Sequence, residues 1–136
     1  MYLLRNRIPF DLIEMDDKVG GNWHHGVYDN VNIISSKQTT EYKVLVAVFG
    51  NDRQDFPMPA TYGDFPSARE MIDYLNSYAK HWNLENCIQF NRKVEKVEPL
   101  YLDDKEMWRV TFGDGKSVVY KGVVISIGHH WVCVHL

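Results

Sequence analysis

An acidic residue at the end of a short apolar run is the first feature of this chain that could do chemistry. Phe10 to Glu14 reads as a strand that ends in a carboxylate. Gly20-Gly21 follows, where the backbone turns sharply or comes close to another group. After the second strand of a nucleotide-binding α/β unit, an acid accepts hydrogen bonds from ribose hydroxyls. Glu14 fits that role, but this one residue fits the alternative, a plain surface carboxylate after a strand, equally well.

Histidine pairs and two cysteines are the other residues that could bind or react. The pairs are His24-His25 and His129-His130, and Cys133 stands two residues before His135. Adjacent histidines on a strand point to opposite faces, so a pair rarely binds one ion, and we predict no metal site. Cys133 has no orienting third group that would make it a nucleophile. With Cys87 it forms no disulfide framework, which indicates a reducing, cytoplasmic compartment.

Size and charge exclude several classes of protein. The chain has 136 residues, room for one domain, and a formal net charge of −3. A nucleic-acid partner is not expected without a basic excess. A membrane span is not expected either, because the longest uncharged apolar run, Val44 to Phe49, has only the length of a strand.

One helix has both a start signal and a periodic apolar face. Ser67 with Glu70 three residues later forms a capping box, which predicts a helix from Ser67 to about Asn83. Apolar residues at helical spacing predict the inward face. They are Met71, Ile72, Leu75, Tyr78 and Trp82.

Strand patterns surround this helix. Met1 to Arg7 reads as the end of a helix, Trp23 to Pro66 as mostly loop, and Cys87 to Phe90 as a strand. Three strands then form a meander, over Val94 to Leu100, Met107 to Phe112 and Ser117 to Tyr120, with Gly113-Asp114-Gly115 as a turn. Val123 to Ile127 is continuously apolar, as in a strand buried on both faces. The order predicts an α/β fold, a partial Rossmann-like domain with an inserted antiparallel β-meander.

An ordered series of short motifs resembles the flavin-containing monooxygenase family. Glu14 followed by Gly20-Gly21-Asn22-Trp23 resembles the family's ribose acid and its Gly-Gly-x-Trp. The further matches, in the same order over residues 8 to 131, are Ile34-Ser35-Ser36-Lys37, Asp55-Phe56-Pro57 and Asp64-Phe65-Pro66, Tyr74 to His81, Ile88 to Val94, Trp108 to Thr111 and Ser126 to His130.

The resemblance implies an FAD-binding domain with a defined set of contacts. Glu14 would bind the ribose, Val94 the adenine through its main chain, and Gly21 would let the backbone approach the cofactor. Trp23 would pack near the flavin or serve as a core tryptophan, and Val94 could also be a plain strand residue. The full implied set is Glu14, Gly20, Gly21, Trp23, Ser36, Lys37, Val94 and Gly128.

The same resemblance implies a reaction and its cofactors. NADPH reduces the flavin, and one oxygen atom of O2 passes to a nucleophilic nitrogen or sulfur, or to a ketone, of a small-molecule substrate. The cofactor carries this chemistry, while the protein positions it and excludes water.

Several segments depart from the family pattern. The Gly-x-Gly-x-x-Gly turn that holds the pyrophosphate precedes the matched region in the family, and the NADPH loop follows it. Residues 1–136 are thus expected to be a partial FAD/NAD(P)-binding domain, an internal fragment with little or no activity. Residues 43–54 form an atypical insertion, residues 132–136 an atypical tail, and Ile34 stands where many members have Asn. A non-enzymatic remnant, or half of a split flavoprotein completed by a chain with the Gly-rich segment, are the alternatives.

Overall fold

A computed structural model describes residues 2–43, 54–102 and 104–128. The chain divides into two compact units, one formed by Met1–Lys18 with Asn83–Leu136 and the other by Val19–Trp82. The single domain expected over residues 1–136 stays a prediction.

The first unit contains a short parallel strand pair. Helix α1 (Tyr2–Arg5) precedes strand β1 (Leu12–Ile13), and the 3-10 helix Leu84–Cys87 leads into strand β4 (Ile88–Gln89). Leu12 lies opposite Ile88, and Ile13 lies opposite Gln89. The helix end predicted before Ile8 and the strands predicted around Leu12 and Ile88 are present, though both strands are only two residues long. The two strands form a sheet of their own.

The predicted meander is the largest sheet of the first unit. Strands β5 (Val94–Leu102), β6 (Lys105–Phe112) and β7 (Ser117–Tyr120) pair in sequence order and antiparallel. Gly115, at φ 78, occupies the predicted turn between β6 and β7. This sheet, with the mixed helix and strand content, confirms the α/β class with an antiparallel meander.

A register shift explains how one side of β5 is formed. The pairing moves by one residue between Val94 and Lys96, so a bulge lies at that point. Because of it, Val94 and Val97 lie opposite Phe112 and Val110. Residues directly opposite each other share one face of a sheet. The bulge therefore puts Val94 and Val97 on the face of the buried Val110 and Phe112.

The strand predicted over Val123 to Ile127 is wrong. These residues have no regular structure, and the side chains of Val124 and Ile127 are 88% and 84% exposed. A continuous apolar run is buried on both faces only when strands flank it. Among the described residues, no strand pairs with this run, so the burial on both faces that its apolar pattern indicates does not form.

The second unit is built around one helix. Helix α4 (Ala68–His81) is preceded by α2 (Asn22–His25), α3 (Lys37–Thr40) and the antiparallel pair β2 (Tyr42–Lys43) and β3 (Gln54–Phe56). The described part of Trp23 to Pro66 is mostly loop, as predicted, but the short helices α2 and α3 within it were not predicted. Each has only one turn, too short to show a periodic apolar face.

The capping box of α4 is present as predicted. Glu70 N donates to Ser67 Oγ (3.3 Å), and Ser67 N donates to Glu70 Oε2 (2.8 Å). Met71 is buried, and Ile72, Leu75, Tyr78 and Trp82 are half-buried, so the predicted face turns inward. Tyr74 and Ala79 are buried too. The core cluster is Ile33, Met58, Met71 and Tyr74, with Trp23, Phe56 and Tyr62 packed against it.

Some predictions concern residues outside the described ranges. They are the strand Val44 to Phe49, the histidine pair His129-His130, Cys133 with His135, and the tail 132–136. Within the described ranges, no helix combines the length and the apolar character needed to cross a bilayer.

Candidate functional site

Glu14 follows β1 directly and is half-buried. Its N–H donates to the carbonyl of Gln89 (3.1 Å), which extends the parallel pairing by one residue. Its Oε1 accepts from Asp16 N (2.9 Å), so the carboxylate is oriented by the backbone two residues on. Its second oxygen, Oε2, can accept further hydrogen bonds. A half-buried carboxylate with one oxygen still able to accept suits a pair of ribose hydroxyls.

The segment after β4 joins Glu14 to the start of the meander. Arg92 N donates to Glu14 O (2.9 Å), and Asn91 N donates to Asp16 O (3.0 Å). Two residues later Val94 begins β5 opposite Phe112, with 38% of its surface exposed. In the first unit, the predicted ribose acid Glu14 is therefore hydrogen-bonded to Arg92, two residues before the predicted adenine contact Val94.

The two predicted glycines of the second unit have different surroundings. Gly20, at φ +124, lies under the His24 ring, and an added Cβ would come within 2.9 Å of that ring. His24 Nε2 is held by the carbonyl of Val19 (2.9 Å). Gly21, at φ +46, has nothing within 4 Å of the position a Cβ would take. Gly20 is thus required by an internal contact, whereas Gly21 leaves room for another molecule near its backbone.

Trp23 has a place in the core and at a cleft. It packs against the cluster of Ile33, Met58, Met71 and Tyr74. It also lines an open cleft of about 610 Å³ together with His24, Tyr28 and, from α4, Ala68 and Ile72. The indole therefore meets the requirements of a core residue and still borders a space that a ligand could enter.

Ser36 and Lys37 are engaged with their own unit. The Ser36 carbonyl accepts from Thr39 N (3.0 Å) and Thr40 N (3.1 Å), so Ser36 starts α3. Lys37 N donates to Asp64 O (2.8 Å), and its Nζ donates to Tyr62 O (2.7 Å). Both residues fix α3 against the segment 62–64, which is a structural task alongside any contact with a cofactor.

Gly128, the last described residue, has φ 73, and an added Cβ would meet no atom within 4 Å. A glycine suits that conformation. Among the described residues, no backbone hydrogen bond joins Gly128 to Glu14 or Val94.

Sequence reasoning missed a polar cluster beside Glu14. Gln89 Nε2 donates to Asp11 Oδ1 (3.1 Å), Tyr120 OH donates to Asp11 Oδ2 (2.6 Å), and Arg92 Nη1 donates to Gln89 Oε1. Burial and the bond to Asp11 raise the pKa of Tyr120 to about 12, so its hydroxyl is protonated at neutral pH. One signal was visible, because Arg92 stands where the resembling family motif Ile-x-Phe-x-Thr-x-Val has Thr.

Comparison with known proteins matches nearly the whole chain to one family. Residues 9–136 match the family model described as flavin-binding monooxygenase-like. The chain is 26% identical over 126 residues to the probable indole-3-pyruvate monooxygenase YUCCA9 of Arabidopsis thaliana, covering 90% of this chain and 26% of that protein. It is 28% identical over 130 residues to flavin-containing monooxygenase 5 of Rattus norvegicus, covering 86% of this chain and 22% of that protein. The chain thus spans about a quarter of the length of these relatives.

Solved structures show the same fold. The chain matches a cyclohexanone monooxygenase mutant from Rhodococcus sp. Phi1 bound to NADP+ with a TM-score of 0.71, at 20% identity, over 93% of this chain and 23% of that one. It matches an oxidized steroid monooxygenase bound to NADP with a TM-score of 0.74, at 16% identity, over 93% of this chain and 22% of that one. The α/β architecture with its meander is therefore the fold of part of these monooxygenases.

Proposed function

This chain belongs to the flavin-binding monooxygenase-like family, and from that premise we propose that it supplies part of the FAD-binding domain of an NADPH-dependent monooxygenase. Membership implies FAD and NADPH as the cofactors of the whole enzyme. The proposed net reaction consumes NADPH, a proton and O2, inserts one oxygen atom into the substrate and releases NADP+ and water. FAD, when bound, would supply the redox chemistry of both halves of that reaction.

The arrangement of Glu14 beside the segment 89–94 carries this proposal. Glu14 would accept the ribose hydroxyls through its carboxylate, and Val94 would meet the adenine through its main chain. The open space at Gly21 would let the backbone approach the cofactor. Gly20, Trp23, Ser36, Lys37 and Gly128 are the further residues that the resemblance assigns to the cofactor site. The half-buried position of Glu14 supports this role because burial strengthens a hydrogen bond to a carboxylate.

The substrate class follows from the family alone. We propose a small molecule with a nucleophilic nitrogen or sulfur, or a ketone, and a cytoplasmic enzyme without a nucleic-acid partner or membrane span. The net charge of −3 supports the absence of a polyanionic partner. The name of one solved relative, a cyclohexanone monooxygenase, contains a ketone, which supports the ketone class.

We further propose that these 136 residues alone bind FAD weakly and do not turn over. They contain no Gly-x-Gly-x-x-Gly, so no turn of that kind is there to hold the pyrophosphate. The two-stranded β1–β4 sheet has edges at which a further strand could pair, and the mostly exposed apolar run Val123 to Ile127 pairs with no strand among the described residues. A partner chain carrying the Gly-rich strand, turn and helix would fit that need, and a cofactor-free remnant is the alternative.

A titration of the purified chain with FAD tests the proposal. Flavin fluorescence and thermal melting should show binding weaker than micromolar, because a few hydrogen bonds worth about 1 kcal/mol each remain at the ribose and adenine. Adding a peptide with the Gly-rich strand-turn-helix should tighten binding, and Glu14→Gln should reverse that gain. Tight stoichiometric binding by the chain alone would overturn its proposed inactivity and make it a working flavoprotein. No binding with or without the peptide would favour the remnant.

A further inference from the structure

Arg92 has an unusual number of structural partners for a residue that starts no element. Its backbone N–H donates to the carbonyl of Glu14 (2.9 Å). Its guanidinium carbon lies 3.6 Å from the centre of the Phe112 ring, and Nη1 donates to Gln89 Oε1. Arg92 is itself half-buried, and Phe112 is only 2% exposed. Backbone and side chain of this one residue thus contact the residue that follows β1 and residues of β4 and β6.

The contacts of Gln89 and Asp11 extend this arrangement to the rest of the first unit. Gln89, which is bonded to Arg92, donates to Asp11 Oδ1 (3.1 Å). The other oxygen of Asp11 accepts from Tyr120 OH in β7 (2.6 Å). Asp11 and Glu14 lie directly before and directly after β1. The contacts therefore connect Asp11 through Gln89 to Arg92, whose backbone N–H donates to Glu14.

Phe112 links the same residue to Val94. The two residues lie opposite each other in β5 and β6, at the bulge where the register shifts. The guanidinium that covers the Phe112 ring therefore packs on the partner of Val94. Next to Arg92, a backbone hydrogen bond from Gly113 N to Lys93 O (2.9 Å) joins the start of β5 to the end of β6.

An arginine suits this position for a geometric reason. A planar guanidinium lies flat on an aromatic ring and still donates hydrogen bonds in its own plane. An ammonium is a compact charge that cannot do both from one orientation. A side chain without a donor would leave the Gln89 oxygen without this partner.

We infer that Arg92 is the positioning residue that fixes Glu14 and Val94 relative to each other, and so sets the affinity of the site for the adenosine end of FAD. This inference rests on the proposed function of the site. Arg92 acts through the backbone of Glu14 and the ring of Phe112.

Three variants separate this role from general stability. Arg92→Met removes the charge and the donors but keeps much of the apolar stem, and Arg92→Lys keeps the charge. Arg109→Met is the matched control, because Arg109 lies in β6 of the same unit and its side chain is exposed. Each is tested as the full chain, by amide hydrogen exchange at residues 91 and 92 and by NMR titration with AMP and with FMN. AMP carries the adenine and ribose without flavin, and FMN carries flavin without adenosine.

The expected result distinguishes the adenosine end from the rest of the site. Arg92→Met should speed exchange of the Asn91 and Arg92-position amides and weaken AMP binding by about tenfold, a loss typical of a slightly misplaced binding group. FMN binding should change by less than about twofold, Arg92→Lys should lie between, and Arg109→Met should match the parent chain.

Each contrary result has its own meaning. Unchanged exchange and AMP binding in Arg92→Met would overturn the inference. So would an equal loss of AMP and FMN binding with a lower melting temperature, since that marks plain destabilisation. If Arg92→Met does not fold, Arg92→Lys with native AMP affinity and unchanged exchange also overturns it. A parent chain that binds no AMP, with or without the Gly-rich peptide, would mean that the proposed function has failed, and this inference would fall with it.

Discussion

Two adjacent glycines at the start of the second unit are constrained by different things. Gly20 has φ +124, and a Cβ added there would lie 2.9 Å from the His24 ring, whereas Gly21 has φ +46 and open space. We expect Gly20→Ala to lower the free energy of unfolding by about 1 to 3 kcal/mol, because it adds both backbone strain and a clash. Urea unfolding measures this change.

A second substitution separates the clash from the strain. His24→Ala in the Gly20→Ala background should restore part of the loss, because it removes the ring but leaves the backbone conformation. Gly63→Ala is the control, since Gly63 lies in the same unit with no neighbour within 4 Å and no positive φ. A larger effect of Gly63→Ala than of Gly20→Ala would contradict this account.

Tyr74 holds together the two ends of the atypical insertion. Its hydroxyl accepts from Tyr42 N (2.8 Å) and donates to Phe56 O (2.6 Å), and its ring is 2% exposed. Tyr74→Phe should lower the free energy of unfolding by about 1 to 3 kcal/mol, because the backbone groups Tyr42 N and Phe56 O lose their partner away from water. Tyr28→Phe, at a residue 78% exposed, should change it by less than about 0.5 kcal/mol.

The same hydroxyl predicts an alkaline limit of stability. Burial raises the pKa of Tyr74 from its ordinary value of 10.0 to about 12. A group whose pKa is raised by folding contributes stability that is fully present below pH 10 and is lost as the pH rises through 12. Unfolding free energy should therefore fall between these values, and fall less in Tyr74→Phe. An identical slope in both chains would show that the loss has another source.

Residues differ in how readily the sequence alone revealed them. Glu14 and Gly21 could be proposed because their signals are local, a carboxylate after an apolar run and a glycine pair. The bonding partners of Tyr74 lie 32 and 18 residues away, and those of Asp11 lie 78 and 109 residues away. No local pattern encodes such pairs, so the partners of Tyr74, Asp11 and Arg92 were found only from the structure.

At the scale of elements, α4 begins at a complete capping box. Ser67 and Glu70 exchange bonds with each other's backbone N–H groups. We expect Ser67→Ala to cost about 1 kcal/mol of unfolding free energy, because it leaves a helix N–H unsatisfied. Ser77→Ala is the matched control in the same helix, at an exposed mid-helix position, and should be neutral or slightly stabilising. Chemical unfolding of the two variants measures both changes in unfolding free energy. Equal changes would show that the Ser67 cap does not stabilise the helix.

The paired ends of the insertion suggest how to shorten it. Lys43 lies opposite Gln54, and Tyr42 lies opposite Phe56. Replacing residues 44–53 by Asn-Gly would connect Lys43 to Gln54, which already lie opposite each other, through a two-residue hairpin turn. It also removes the apolar run Val44 to Phe49, so soluble yield should rise while the melting temperature is kept. A replacement by Asp-Gly serves as the control for the turn, and unfolding of both would show that the insertion belongs to the core.

Elements were predictable where their cause was local. The cap of α4 and the Gly113-Asp114-Gly115 turn of the meander act within a few residues, and both are present. The run Val123 to Ile127 was misjudged because its burial depends on neighbouring strands that its own residues do not specify. Helices α2 and α3 were missed since single turns such as Trp23 N to Gly20 O (3.0 Å) are fixed by their surroundings.

At the scale of the whole molecule, the chain order of the two units matters. The first unit is made from Met1–Lys18 and Asn83–Leu136, and the second occupies the sequence between them. Predicted single-domain behaviour would appear as one cooperative unfolding transition by both near- and far-ultraviolet circular dichroism. Two separated transitions would assign separate stabilities to the two units.

The pairing of β1 with β4 also imposes an order on folding. Asp11 and Gln89 are 78 residues apart, so the parallel pair can form only after a long loop has closed, whereas the cap and turns of α4 need no such closure. On a ribosome, Leu12 and Ile13 would emerge early and wait, with their apolar side chains exposed to aggregation, until Ile88 has been synthesised. In pulse-labelled refolding, the α4 amides should become protected before the amides of Glu14 and Arg92. The carboxylate proposed to recognise the cofactor would then be among the last parts of the chain to reach its final position.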